Sequence, residues 1–80
     1  MPADAIQVIR RRNLRRLVAE LRAEGITAWK GLAVALGIDP GVLDDIRTGG
    51  PISDATAREI EWAMQRPARW LDRAMPNELV

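Results

Sequence analysis

Apolar residues recur along this chain at spacings of three and four, and nowhere alternate with period two long enough to make a strand. Leu14, Leu17, Val18 and Leu21 form the clearest stripe, which predicts a helix from about Arg10 to Glu24 closed by Gly25. Trp29, Leu32, Ala33 and Leu36 predict a second helix. Thr27 is its N-cap candidate, and Gly37 ends it, because glycine takes a left-handed backbone without a Cβ penalty. Asp39 and Pro40 then suit the N-cap and first position of a third helix, in which Leu43 and Ile46 form a narrow buried stripe. Gly49-Gly50-Pro51 ends it. Ser53 caps a fourth helix, Asp54 to about Gln65, with Ile60, Ala63 and Met64 facing inward and Thr56 or Ala57 one turn earlier. Pro67 opens a short fifth, carrying Trp70, Leu71, Ala74 and Met75, and Pro76 stops it.

The expected fold is all-α: one compact five-helix domain over residues 10–75. Residues 1–9 are expected to be a flexible N-terminal arm and residues 76–80 a C-terminal tail. Ile6, Val8 and Ile9 fall out of phase with the helix that follows. They read as a loose lead-in or as a segment that sticks to a second copy. The chain has 80 residues, enough for one domain with a thin core. Its longest apolar run, Leu32 to Leu36, is too short to span a bilayer. The first residues do not form a signal peptide, since charge follows the apolar residues, so the expected location is cytoplasmic.

Charge changes the picture more than composition does. The net charge is +1, but residues 1–30 hold seven basic and three acidic groups, and residues 31–80 five basic and eight acidic. Arg10, Arg11, Arg12, Arg15 and Arg16 crowd the start of the first helix, and Arg11, Arg12, Arg15, Arg16 and Arg22 lie off its apolar stripe. Such a run is a solvated helix face or a set of phosphate contacts, for which the guanidinium fork is suited.

There is no Cys and no His, which removes disulfides, zinc ribbons, thiol nucleophiles and imidazole bases. Asp44 and Asp45 are neighbours whose side chains diverge by about 100° on a helix, so they are no carboxylate dyad. Ser53 lacks a base. The Gly49-Gly50 pair lacks the Lys of a phosphate-binding loop. The residues predict no enzyme, cofactor, metal or small-molecule ligand.

Two short helices across a three-residue turn containing Gly make a helix-turn-helix pattern. The chain resembles the lambda-repressor-like, Xre/Cro-type DNA-binding domains in Asn13-Leu14-Arg15-Arg16-Leu17, Gly25-Ile26-Thr27 and Leu32-Ala33-x-x-Leu36-Gly37-Ile38. The likeness continues through x-Pro40-x-x-Leu43-x-x-Ile46-x-x-Gly49. Ala57-Arg58-x-Ile60-Glu61-x-Ala63 and Pro67-x-x-Trp70-Leu71-Asp72 look like the closing helices of phage-repressor-type members. The resemblance implies a sequence-specific transcriptional regulator that binds double-stranded DNA, as a homodimer on a two-fold site. It implies a recognition helix over about residues 40–48, with Pro40, Gly41, Asp44, Asp45 and Arg47 on its base-reading side. Phosphate contacts would fall to Arg11, Arg12, Arg15, Arg16, Thr27, Lys30 and Thr48.

The sequence departs from that family where it should touch DNA. Pro40 and Gly41 offer no side-chain donor, and Asp44 and Asp45 only accept hydrogen bonds, as from cytosine N4. Trp29 stands where the family often has Gln. Trp62 takes a helix-4 position that is usually polar. Trp29 and Trp62 therefore open a second reading, a helix-turn-helix-derived module for protein partners, of phage accessory, antirepressor or antitoxin type. Alternatively each ring lies over its own helix and covers a thin core. Trp70, which the family shares, reads as core.

Overall fold

The computed structural model describes residues 3–74, with side-chain surroundings from residue 5 onward. Four α-helices and one 3-10 turn follow in order: α1 (Ala3–Ala23), α2 (Trp29–Leu36), α3 (Pro40–Arg47), α4 (Asp54–Ala63) and the turn Trp70–Asp72. There is no strand among the described residues. The all-α expectation holds, and among the described residues the five helices expected are four with a 3-10 turn in place of the fifth. Met75 and the tail over residues 76–80 lie outside the described residues.

One core joins these elements. Leu14, Leu17 and Leu21 of α1 meet Leu32, Ala33 and Leu36 of α2, Leu43 and Ile46 of α3, Ala57 and Ile60 of α4, and Ile52 and Leu71 from the connections. Each large aliphatic side chain withdrawn from water contributes about 1.5–3 kcal/mol. Of the stripe residues expected from periodicity, Val18, Trp29 and Trp70 are half-buried against this core and Ala74 is exposed. Ala63 is exposed, at the rim, and Met64 is half-buried.

All four helices stop in the same way. The amide two residues past the last turn reaches back to close it: Ile26 to Leu21 O, Ile38 to Ala33 O, Gly50 to Asp45 O and Arg66 to Glu61 O, at 2.7–3.1 Å. Each needs one residue at positive φ just before that amide. Gly25, Gly37 and Gly49 supply three, and Gln65 supplies the fourth at φ 57°. Gly37 is the most constrained: φ is 74°, and a Cβ there would lie 2.8 Å from Cβ of Ala63. The turn that sets α3 on α2 thus tolerates only glycine.

The starts of the helices depart further from expectation. α1 begins at Ala3, so residues 3–9 continue the helix and are no arm. Ile6 and Ile9 are half-buried and Val8 is exposed. Gln7 explains the ordered start: its amide accepts from Ile52 N at 2.7 Å and donates to Ile52 O at 3.0 Å. The N-cap of α2 is Ala28, with no side-chain bond, and Thr27 is exposed outside it. Ser53 does cap α4, its Oγ accepting from Thr56 N at 3.1 Å.

The fifth helix fails for an identifiable reason. Arg69 sits at φ 70°, and the amides of Arg69 and Leu71 donate to the Glu61 carboxylate at 3.0 and 2.8 Å. In a helix opening at Pro67 the Leu71 amide would have been paired internally and the Arg69 amide left among the first-turn donors. Glu61 is 2% exposed, and Arg58 donates to both of its oxygens at 2.8 and 3.0 Å. Glu61 therefore organises the C-terminal turn around itself.

Candidate nucleic-acid interface

The arginine run divides by helical geometry. Side chains one residue apart diverge by about 100°, so five arginines in seven positions cannot share a face. Arg10 points into the protein and is 4% exposed. Its Nε donates to Asp72 Oδ1 at 2.7 Å, Nη2 to Asp54 Oδ1 at 2.7 Å and Asp72 Oδ2 at 3.2 Å, and Nη1 to Ile52 O at 2.7 Å. Arg58 Nη2 reaches Asp72 as well, at 3.1 Å. These contacts, Arg10's first, hold the Asp72 carboxyl below the usual carboxylate range against the opposing effect of burial. Asn13, also buried, donates to Leu71 O at 2.9 Å and Arg73 O at 2.7 Å.

Arg11, expected to grip phosphate, reaches the C-terminal end of α3. It donates to Ile46 O at 2.7 Å and to Gly50 O. The Ile46 carbonyl lies in the last turn of α3, at the negative end of its dipole, which a cation complements. Arg12 is exposed and Arg16 half-buried, and each interacts with a neighbouring group. Arg15 and Arg22 are exposed. The arginines of the expected phosphate set are thus dispersed over several faces of α1.

On α3 the exposed residues are Gly41, Asp44, Asp45 and Arg47, with Thr48 beyond its end, while Pro40 is half-buried. Arg47 donates to Asp44 Oδ1 through Nε at 3.1 Å and Nη2 at 2.7 Å. Its guanidinium also lies 5.6 Å from the Trp29 ring centre. Thr48 Oγ1 donates back to Asp44 O and Asp45 O at 3.1 and 3.2 Å. The acidity of this face is therefore partly neutralised from within. Trp29 is half-buried and packs on the core, whereas Trp62 is 86% exposed. The two tryptophans that the sequence left together are separated by the fold. Trp70 packs against the core, as expected, with Arg66 4.9 Å from its ring centre.

Beside α3 runs a groove of about 500 Å³. Its floor is Leu14, Val18, Ala19, Trp29, Leu43 and Ile46, and Arg11, Arg15, Arg22 and Arg47 edge it. The start of α2 adjoins it at Trp29. There the first-turn amides have no side-chain cap, and Thr27 and Lys30 are exposed beside them. The start of α3 likewise lacks a side-chain bond from Asp39. Among the described residues no acidic cluster is arranged to hold a metal ion, and no helix is long and apolar enough to cross a membrane.

Gln7, Arg10, Asn13 and Glu61 carry the polar architecture and were not singled out from the sequence. A signal was present: Arg10 and Asn13 stand four residues before Leu14 and Leu17, in phase with the stripe, and Glu61 stands four after Ala57. No family model, curated protein or solved structure matches this chain.

Proposed function

We propose that this protein is a DNA-binding regulator of the lambda-repressor-like helix-turn-helix type, with α3 entering the major groove and the start of α2 resting on the backbone. The observation that supports this reading most is the pairing of those two surfaces. α3 stands on α2 across the Gly37 turn with its outer side uncovered, and the α2 amides adjacent to it are uncapped beside Lys30 and Thr27. Uncapped helix amides with a neighbouring cation make a phosphate site. The Arg47–Asp44 pair lowers the repulsion that an acidic reading face would meet. A single module makes few contacts, so two copies on half-sites about one DNA turn apart are expected to bind together.

The test is a mobility-shift titration with random and selected duplexes over a salt series. Affinity should fall linearly on a log–log plot as salt rises. Lys30→Ala should weaken binding to all sequences alike, and Asp44→Ala, which releases Arg47, should strengthen nonspecific binding. No shift at low salt, or one insensitive to salt, overturns the reading.

The 86% exposure of Trp62 favours a second reading, a protein-interaction module on the same scaffold. Light scattering of the wild type and Trp62→Ala, with and without DNA, separates the two. A monomer that binds only DNA ends the second.

A further inference from the structure

We propose that the groove between α1 and α3 is a docking site for an acidic amphipathic segment of a partner protein. Two carboxylates of that segment meet Arg15 and Arg22, and apolar side chains lie on the floor between them. The proposal stands on charge and shape together. Arg15, Val18 and Arg22 share one face of α1, and two turns of helix separate the two guanidinium stems by about 10 Å. No carboxylate among the described residues pairs with either arginine. The acidic side chain Glu20 is engaged elsewhere, by Arg66.

Between the cations the floor is apolar: Val18 and the Trp29 ring are half-buried over Leu14. A sugar–phosphate backbone would satisfy the guanidiniums and leave this floor wet. A peptide with acids two helical turns apart and apolar residues one turn between them satisfies both, in the helix-in-groove manner. The volume of about 500 Å³ holds several side chains. Because Trp29 and Arg47 border both this groove and α3, an occupant would compete with any ligand of α3. The proposal does not depend on the DNA reading.

The probe is a fluorescein-labelled synthetic helical peptide with Asp or Glu at i and i+7 and Leu at i+3 and i+4. Two controls carry Lys for the acids or Ser for the Leu residues. Anisotropy titration of the full chain should show saturable binding of the acidic peptide alone. Arg15→Gln/Arg22→Gln should weaken it about tenfold or more, and Val18→Asn about fivefold, with helix content unchanged by circular dichroism. Equal affinity for the acidic and Lys peptides, indifference to the arginine pair, or no saturation overturns the proposal. So does a dimer in sedimentation velocity that Val18→Asn dissociates, since a second copy then covers the groove. Loss of duplex DNA binding in the arginine variant, with no saturable peptide binding by the wild type, assigns the groove to phosphate and also overturns it.

Discussion

Replacing Arg10 by Met removes its charge and keeps most of its aliphatic stem. The change leaves Asp72 half-buried with Arg58 as its remaining cation, at 3.1 Å. Breaking a buried ion pair by deleting one partner costs about 3–5 kcal/mol. Two features place this case at the lower end. Asp72 keeps Arg58, and the Asp54 side chain is 87% exposed, so its pair with Arg10 contributes little. The Ile52 carbonyl also loses a charged donor, about 1.5–3 kcal/mol when such a bond is fully buried. The expected loss is about 3 kcal/mol, a large share of the roughly 4–12 kcal/mol that holds a domain of this size. Urea unfolding followed by circular dichroism reads it directly as a lower midpoint at constant slope.

The pH dependence supplies an independent check. Asp72 has a lowered pKa in the folded state, so the stabilisation it contributes is complete above the unfolded carboxylate pKa of about 3.9. It is lost as pH falls from there through the lowered folded value. Arg10→Met should flatten the acid limb of the stability profile below about pH 4, as should Asp72→Asn. The double variant should lose clearly less than the sum of the two singles. A loss under about 1 kcal/mol for Arg10→Met, or strictly additive single effects, would refute the assignment of Arg10 as a buried hub.

Three further outcomes follow from the backbone and the second buried charge. Gly37→Ala should cost about 1–2 kcal/mol for its left-handed backbone alone and more for the contact with Ala63; Ala63→Gly should recover only the contact part in urea melts. Gln65→Gly should raise stability by about 1 kcal/mol, because it removes the strain of a non-glycine residue at φ 57°, and a lower thermal midpoint would contradict this. Glu61→Gln should cost about 3 kcal/mol, since one neutral amide oxygen cannot serve Arg58 and two backbone amides; hydrogen exchange at Leu71 N–H should accelerate with it.

The sequence conveyed helices well where local chemistry decides them. The Leu14–Leu21 stripe, the glycines at 25, 37 and 49, and the Ser53 cap act within one or two turns, so spacing reveals them. What remained hidden was tertiary. Arg10 finds Ile52, Asp54 and Asp72 at separations of 42 to 62 residues, and inside a run of arginines it looks like any other. Glu61 overrode the expected fifth helix by capturing its amides, a contact that no propensity contains. Gln65 was read as helical because only glycine announces a left-handed position. At the candidate interface the exposed side of α3 and the start of α2 carry the residues that the sequence singled out. The sequence could not sort the arginines of α1, because which of them face outward depends on what packs against that helix.

Gln7, Arg10 and Arg11 share a habit: besides any carboxylate, each holds main-chain atoms of the segment from Ile46 to Ile52. A clasp on carbonyls and amides does not read the side chains it holds. The exposed side chains at Arg47, Thr48 and Pro51 can therefore be exchanged during sequence drift while the far end of α3 stays in place. Change at positions 7, 10 or 11 would instead let α3 swing on its Gly37 pivot. Variation in what this helix contacts and constancy in how it is aimed are thus assigned to different stretches of the chain.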